Sequence, residues 1–466
     1  MQVTLLGHAS VLVEMDGVRC LMDPVFQDPF EDGAVESCPR RAVHPDKLPP
    51  IDVLIISHSH LDHFDIPSLS RIPRSCNVLC PKDQAITYAL EQLGFVNIHP
   101  SEPMTRLVFP RYELLTTHSN VSNVVEFGVV FKDQSGTFWN QVDTVLAPQT
   151  IELTRQAYPK IDLLFAMYAS QNFGFFESKA LGFPFKMHEM NLSTVAAIAP
   201  GLVVPGSAGF RFCGPGEWCN SFLFPISRER FIADLAQLAP GIKSCIANPG
   251  DVFEVNQGTV RHLPGASNVV TLLADDTFRL RFDPTAQIPP LTDPNPDHCS
   301  AARLAQAARD CLQGFADFLT ASYAGGDPVV DEYRRLGASY AVGVVFPDGS
   351  EECLGVKFSP AAPQIQPGGE GLVAQADAGH RIAASALTAW STHEKSYFYL
   401  RALSRKFTNL YALTHTAGKV SVEPKEATDL LTYYLTRKAK GADMALKNWL
   451  DLQLQPYRQS APLPVP

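Results

Sequence analysis

The chain has 466 residues, of which 45% are hydrophobic and 18% are charged, and its formal net charge is −10. This length predicts two or three domains, and the composition indicates a folded globular protein rather than a disordered one. The acidic balance and the absence of a basic stripe argue against nucleic acid as the main partner. The sequence has no apolar run of membrane-spanning length and begins without the charged segment of a signal peptide, so we predict a cytoplasmic protein that binds no membrane.

Residues 1–282 are predicted to form one α/β domain in which strands alternate with helices. Short apolar or alternating runs predict strands over residues 3–6, 10–15, 19–22, 51–56, 111–117, 123–132, 137–140 and 161–167. Helical patterns cover residues 66–72, 83–93 and 151–157. The residues between Asp23 and Pro50 are rich in proline and show no periodicity, which predicts a long surface loop that borders a site.

Residues 283–296 are rich in proline and are predicted to be a linker to a second, helix-rich α+β unit over residues 297–458. Helices are predicted over residues 301–323, 382–407, 425–439 and 443–454. Two strand-like runs flank the sequence Pro-Asp-Gly-Ser at residues 347–350, which predicts a β-hairpin. The tail, residues 459–466, is predicted to be disordered, and no cluster of histidines and carboxylates in the second unit predicts a metal ligand there.

The most informative segment directly follows the buried strand 51–56 and reads S-H-S-H-L-D-H. Ligands just past the end of such a strand reach the crevice in which α/β sheets carry their chemistry. His58 and His60 are two apart in an extended segment and therefore point the same way, and Asp62 and His63 follow where the chain turns. Three imidazoles and a carboxylate are more than one ion needs from one loop, which predicts two neighbouring metal ions.

A dinuclear site needs further ligands, ideally including a carboxylate that bridges both ions. His118 lies at the end of the predicted strand 111–117, where a ligand can turn into the same crevice. Asp143 follows the strand 137–140 in the same way and is the candidate for the bridge. We therefore predict a metal site formed by His58, His60, Asp62, His63, His118 and Asp143.

In order and kind, these residues resemble the ligands of the metallo-β-lactamase superfamily. The opening L-G-H-A-S-V-L-V-E, residues 6–14, and L-M-D-P, residues 21–24, are also similar to that superfamily. The resemblance implies an αββα sandwich that carries the metals between its two sheets. It also suggests that His8 forms a hydrogen bond to a metal ligand and thereby orients it. A structural hydrogen bond unrelated to the metals is the alternative for this residue.

A closer resemblance covers roughly the first 260 residues and is to the CMP-N-acetylneuraminate hydroxylase branch. It rests on N-Q-V-D at residues 140–143, Y-A-S at 168–170, P-G-S-A-G-F at 205–210 and N-P-G-D at 248–251. Many relatives have a late metal-binding histidine where this chain has Ser207, a poor ligand, so His188 is an alternative for completing the site. The resemblance thus leaves Asp62 and His188 as the candidate catalytic residues.

The hydroxylase branch also carries a Rieske iron–sulfur module, whose C-x-H and C-x-x-H ligand pattern is absent from this chain. The chain therefore has no built-in iron–sulfur cluster, and oxygen activation would need electrons from a separate ferredoxin or reductase. The substrate is expected to be a small molecule that docks on the aromatic loop from Tyr168 to Phe185.

Two reaction classes are open for one dinuclear scaffold. Two iron ions held by imidazole and carboxylate suit dioxygen activation, which predicts an oxidoreductase of the monooxygenase type. Two zinc ions would instead lower the pKa of a bridging water and predict a hydrolase of an ester, amide, lactone or phosphodiester. The closer resemblance favours iron and hydroxylation. A binding protein whose metals serve only its structure is the third alternative, although structural sites are closed and rarely dinuclear.

Overall fold

The computed structural model describes residues 1–121, 124–171, 183–207, 209–369, 371–392, 394–416, 418–424, 427–438 and 442–458. In chain order, the N-terminal elements are β1 (Gln2–Gly7), β2 (Ser10–Met15), β3 (Val18–Met22), β4 (Val35–Ser37), β5 (Arg40–Val43), β6 (Val53–Ile55), α1 (Ile66–Leu69), β7 (Asn77–Pro81), α2 (Gln84–Leu93), β8 (Asn97–Ser101), β9 (Arg106–Val108), β10 (Tyr112–His118), β11 (Phe127–Asp133), β12 (Gly136–Asn140), α3 (Pro148–Ala157), β13 (Leu163–Met167), α4 (Phe185–Ile198), β14 (Leu202–Gly206), β15 (Phe210–Phe212), α5 (Asn220–Leu223), α6 (Arg228–Leu238), β16 (Lys243–Ser244), β17 (Val252–Asn256), β18 (Thr259–Leu263) and β19 (Val270–Ala274).

Two sheets dominate this part of the chain. The described strands of the first sheet run in the order β18-β17-β1-β2-β3-β6-β7-β8, and those of the second run in the order β16-β14-β13-β12-β11-β10-β9. Strand β6 pairs in parallel with both β3 and β7, and its three residues are all buried. A strand in the middle of a parallel region is covered on both faces, which is why its sequence is continuously apolar.

The two sheets pack face to face over a core of large apolar side chains. Phe138 and Phe165 of the second sheet lie 5.0 Å apart between ring centroids, and Phe165 lies 5.5 Å from Phe253 of the first sheet. Val11 and Ile55 of the first sheet belong to the same core. Burying these faces against each other removes apolar area from water and fixes the sandwich.

Helices cover the outer face of each sheet. Leu69 of α1 and Leu90 of α2 pack in one core with Leu54 of the first sheet. On the other side, Val195 of α4 packs in one core with Trp139 of the second sheet, together with residues of α3 and α6. The layers are therefore helix, sheet, sheet and helix, which confirms the predicted αββα sandwich.

Each element predicted within residues 1–282 corresponds to an observed one, although β4, β5, β7–β9, β14–β19 and α4–α6 were not predicted. The prediction of a plain surface loop from Asp23 to Pro50 was wrong. Phe30 and Val35 are buried, and the strands β4 and β5 of this segment pair with β15 and β19. The sequence did not predict these short strands because their proline and acidic residues show no local periodicity. Each strand forms through pairing with a strand that is distant in the chain.

In chain order, the C-terminal elements are α7 (Ala301–Gly325), α8 (Pro328–Leu336), β20 (Ser339–Val345), β21 (Glu351–Lys357), β22 (Gln364–Gly368), β23 (Ala378–Ala383), α9 (Ala384–Ser391), α10 (Tyr397–Ala402), β24 (Ser404–Thr408), β25 (Tyr411–Thr416), β26 (Lys419–Pro424), α11 (Leu430–Lys438) and α12 (Ala442–Leu454). The predicted hairpin is confirmed, since β20 and β21 pair antiparallel around a turn in which Gly349 has a φ of 85°. The predicted tail, residues 459–466, lies outside the described residues.

The single helix predicted over residues 382–407 was wrong. The structure has β23, α9, α10 and β24 over this region. Strand β23 pairs in parallel with β20 and antiparallel with β24, and the side chain of Ser396 caps α10 by accepting a hydrogen bond from the Tyr399 N–H. The sheet contacts of β23 are non-local, and they override the helical propensity of its sequence.

The last helix, α12, packs on the N-terminal sandwich. Its residues Leu450 and Leu454 are buried in the same core as α1 and α2. The hydroxyl of Tyr88 in α2 donates a 2.5 Å hydrogen bond to Asp451. The C-terminal end of the chain is therefore part of the cover of the first sheet. None of the described helices combines the length and the apolar composition that crossing a membrane requires.

We expect Leu450→Ala to lower the free energy of unfolding by about 2–5 kcal/mol, because it removes a buried side chain and leaves a cavity. Leu452 lies on the same helix but is 43% exposed, so Leu452→Ala is the matched control and should change stability by less than about 0.5 kcal/mol. Urea unfolding followed by tryptophan fluorescence measures both changes. Equal effects of the two substitutions would contradict the docking of α12.

Candidate metal centre

The segment S-H-S-H-L-D-H leaves the first sheet at the end of β6. The backbone N–H of Ile56 donates to Leu79 in the neighbouring strand, so the chain is still extended when it reaches His58. A turn follows, in which the N–H groups of His63 and Phe64 both donate to the carbonyl of His60 at 3.0 and 2.8 Å. This turn brings His63 back beside His58, with 4.1 Å between the ring centroids.

His8 reaches the same place from the connection between β1 and β2. Its Nε2 lies 3.0 Å from Oδ2 of Asp62. The preceding Gly7 has a φ of 120°, and a Cβ there would lie 2.6 Å from Cδ of Arg41. Arg41 is fixed in turn by donating to the carbonyls of Leu6 and Val25, so only glycine fits this position.

The described residues form two groups that could each hold a metal ion. One group is His8, Asp62 and His63, and the other is His58, His63 and Asp143, with ligand atoms within 4.8 Å of one another in each. Nε2 of His63 lies 3.6 Å from Oδ2 of Asp62 in the first group and 3.3 Å from Oδ2 of Asp143 in the second. The two groups therefore have His63 in common, and its Nε2 can bind the ion of only one of them at a time.

His60 and His118 lie at the exposed side of the site. Nδ1 of His60 is 2.9 Å from Nε2 of His58, and metal–nitrogen bonds of about 2.0–2.1 Å allow one ion to contact both atoms. His118 is the last residue of β10 and is exposed, and it belongs to neither described group. The structure thus brings His58, His60, Asp62, His63 and Asp143 together and leaves His118 at the margin.

His188 is not brought to these groups. It lies in α4, and its Nε2 is 2.9 Å from Oδ2 of Asp234 in α6. His188 lines a cavity of about 800 Å³, which we call the aromatic cavity. Among the described histidines, His8 rather than His188 is the one grouped with Asp62 and His63.

Two residues that the sequence analysis did not assign orient the histidines. Asp23 is fully buried, and its Oδ2 accepts from Nδ1 of His63 at 2.9 Å and from the hydroxyl of Ser57 at 2.6 Å. The Ser57 oxygen also lies 2.9 Å from Nδ1 of His58. These contacts hold both Nδ1 atoms and leave the two Nε2 atoms free to bind metal. The available signal was the aspartate directly after a predicted strand.

The ionisation of the site fits metal binding. Burial by itself would raise the pKa of Asp62, but His63 and His8 hold that pKa well below its usual range. Burial and the neighbouring His63 and His60 hold the pKa of His58 well below its usual value. Although burial opposes it, the carboxylates of Asp62 and Asp143 raise the pKa of His63 well above its usual value, so a metal ion would displace a proton from His63.

Two further observations agree with a metal centre. Nε2 of His63 is buried and has only the carboxylates of Asp143 at 3.3 Å and Asp62 at 3.6 Å near it, which is a suitable surrounding for a cation. The backbone is also strained around the site, since Val142, beside Asp143, has a φ of 56° and Ser207 has a φ of 55°. A β-branched residue at positive φ is rare, and such strain is concentrated at functional sites.

We expect Asp23→Asn to weaken metal binding by about 10–100-fold, because the amide is a poorer acceptor for Nδ1 of His63 and for Ser57. Competition with a chromophoric chelator measures the affinity. Asp52→Asn is the control, because Asp52 is a half-exposed carboxylate bonded to Arg19 outside both groups. Unchanged affinity in Asp23→Asn would show that Asp23 does not orient the ligand.

The family comparison agrees with this geometry. A family model described as a beta-lactamase superfamily domain matches residues 2–106, which include His8 and the whole of the S-H-S-H-L-D-H segment. Residues 2–106, less than a quarter of the chain, are thus similar to this domain. This match accounts for most of the first sheet and for the loop that supplies the histidines, and the specific resemblance to CMP-N-acetylneuraminate hydroxylase stays a prediction.

Three similar proteins show the range of relatives. N-acyl-phosphatidylethanolamine-hydrolyzing phospholipase D 1 of Caenorhabditis elegans is 39% identical over 72 residues, or 15% of this chain and 20% of that protein. A UPF0173 metal-dependent hydrolase of Exiguobacterium sp. is 33% identical over 95 residues, or 20% of this chain and 37% of that protein. The diiron β-hydroxylase CmlA of Streptomyces venezuelae aligns with a TM-score of 0.38 and 15% identity over 56% of this chain and 54% of its own. The matches thus span well under two thirds of the two sequence relatives.

Proposed function

We propose that the protein is an iron-dependent oxygenase that hydroxylates a small organic substrate at a dinuclear centre. The observation that carries this proposal is the composition of the two groups. Together with His60, the two groups offer four imidazoles and two carboxylates, ligand types that are typical of non-haem iron sites with open positions for dioxygen and substrate. Ser207 stands where many hydrolases of the superfamily have a further histidine, and this substitution leaves one coordination position open.

The chain's own residues have distinct roles in this proposal. His58, His60 and Asp143 would hold one ion, and His8, Asp62 and His63 would hold the other. Iron bound there would supply the redox chemistry that activates dioxygen. Asp62 stays ionised because of its neighbouring histidines, so it offers a negative charge to the centre at neutral pH.

The electrons for this reaction are proposed to come from a separate ferredoxin or reductase. The reason is that the chain lacks the C-x-H and C-x-x-H pattern of a Rieske module. Oxygen consumption coupled to product formation by the Fe(II)-loaded protein, with an external reductant, tests the proposed reaction class.

A zinc hydrolase is the second candidate, because both sequence relatives described above carry names of hydrolases. With zinc, the same ligands would lower the pKa of a bound water and direct it at an ester, amide, lactone or phosphodiester. Asp143, which is only partly exposed at the open side of the pair, would then orient this water.

A further inference from the structure

The aromatic cavity lies beside the metal centre and has the size of a small-molecule site. Its volume of about 800 Å³ falls within the range of about 300–1,000 Å³ that is usual for ligand pockets. Its apolar wall includes Phe183, Phe224, Phe278 and Phe282. Phe278 is 71% exposed, so the cavity opens to solvent along an apolar rim.

A narrow space, which we call the inner pocket, lies next to the aromatic cavity and reaches His8 of the metal centre. It has a volume of about 40 Å³ and is lined by His8 and Ser207 on one side. On the other side it shares Tyr168, Arg228 and Leu280 with the aromatic cavity. This volume holds only about two or three waters, so a small group of a ligand can enter it but a large one cannot.

Two polar groups stand where the two spaces meet. Tyr168 is 6% exposed, and its hydroxyl makes no hydrogen bond with any described residue. The guanidinium of Arg228 donates to the carbonyl of Ala247 and to Oδ1 of Asn248, both at 2.9 Å, and its nearest carboxylate, that of Asp275, lies 3.9 Å away. Arg228 is thus rigidly held by neutral acceptors and keeps an incompletely balanced positive charge.

The other charges of the aromatic cavity are paired or lie at its rim. Asp234 accepts from Arg230 at 2.6 Å and lies 2.9 Å from His188, so these groups neutralise one another. Glu229 and Arg281 are exposed and have opposite charges. Burial raises the pKa of Tyr168, the charge of Arg228 lowers it and that of Glu229 raises it, so both charges act on this hydroxyl. Among the charged residues of the aromatic cavity, Arg228 is the one that also lines the inner pocket.

We propose that the aromatic cavity binds the substrate of the metal centre and selects an organic anion with an apolar body. The anionic group lies against Arg228 and the hydroxyl of Tyr168, and the apolar body packs among the phenylalanines. The role of this ligand as substrate rests on the proposed function, but its binding does not, because the contacts that select it are separate from the metal ligands.

Binding to the zinc-loaded full chain tests the selectivity without any turnover. The probe is 1-anilinonaphthalene-8-sulfonate, whose fluorescence rises in an apolar site, and the competitors are dodecanoate, dodecanol and dodecyltrimethylammonium. We expect dodecanoate to displace the probe at a concentration at least about tenfold lower than the cation, because a charged hydrogen bond contributes about 1.5–3 kcal/mol. Equal displacement by the anion and the cation would overturn the proposal.

Substitutions locate the site. Arg228→Gln removes the charge and keeps a polar amide, and it should weaken the binding of dodecanoate by about tenfold or more while leaving the binding of dodecanol unchanged. Tyr168→Phe should lower the affinity for dodecanoate by about 3–10-fold, and this variant remains informative if Arg228→Gln fails to fold. Arg279→Gln is the control, because this exposed arginine contacts Glu217 and Asp276 outside the inner pocket. An unchanged affinity in both test variants would overturn the proposal.

The connection to the metal centre has its own readout. In cobalt-loaded protein, the resonance of bound [1-¹³C]dodecanoate should broaden relative to zinc-loaded protein, because the carboxylate lies near the paramagnetic ions. Tight binding without broadening would show that the aromatic cavity does not serve the metal centre. Selective anion binding together with a lack of oxygen-dependent turnover would instead refute the proposed oxygenase and leave this inference standing.

Discussion

Replacing His63 by Ala is expected to remove most of one metal ion, and Asp143→Ala or His8→Ala should each do the same. Nε2 of His63 belongs to both described ligand groups but has one lone pair and therefore binds one ion, while Asp143 and His8 each belong to a single group. A structural metal site binds its ion with a free energy of about 10–16 kcal/mol, so losing one ligand weakens metal binding by about 3 kcal/mol, or about 100-fold. Metal analysis after dialysis against a weak chelator measures the number of ions retained.

His262→Ala is the matched control for these variants. His262 also contacts an aspartate, with 2.8 Å between Nε2 and Oδ2 of Asp251, but it lies outside both groups. It should therefore retain both ions. His63→Ala protein that still holds two tightly bound ions would show that His63 is not a metal ligand. In the same series, metal loss from His118→Ala would add His118 to the site, and full retention would remove it from the ligands.

The second large effect concerns the reaction class. Loading the protein with Fe(II) and supplying oxygen and a reductant should give oxygen consumption that matches product formation. Zinc-loaded protein should be slower by at least about 100-fold, because zinc has no redox chemistry. An oxygen electrode and mass spectrometry of product formed under ¹⁸O₂ make the measurement, with organic anions that bind the aromatic cavity as the first substrates.

Two comparisons make this result decisive. Asp143→Ala, loaded in the same way, should lose the oxygen-dependent turnover by at least about 100-fold, which shows that the reaction belongs to the assigned centre. Full turnover of an ester or phosphodiester by zinc-loaded protein under strict anaerobiosis would instead establish the hydrolase. Comparing the metal content of protein purified with and without air identifies the metal that the chain acquires.

The sequence by itself determined eight of the fifteen described strands of the two sheets, and the segment that begins the site. The continuous apolar run of β6 predicts that this strand is buried. The histidines that follow it are neighbours in sequence. Their common direction needs only the two-residue period of an extended chain, as the 2.9 Å between His58 and His60 illustrates. Local periodicity and short spacing are properties that a sequence displays directly.

The tertiary structure decided which distant residues join that segment. His8 meets Asp62 across 54 positions, and Asp23 meets His63 across 40, because the order of strands in the first sheet brings the ends of β1, β3 and β6 together. The same reasoning from the sequence left His188 as a candidate ligand, but the packing of α4 on α6 pairs it with Asp234 instead.

The C-terminal region shows the same limit. Residues 382–407 have a helical composition, yet pairing with β20 turns the start of this region into β23, and α12 reaches back to the core of the first sheet. Both outcomes depend on contacts between residues far apart in the chain, whose free energy comes from burial against a partner that the local sequence does not specify. The metal loop could be predicted because its chemistry is local, and its partners could not because the sheet order selects them.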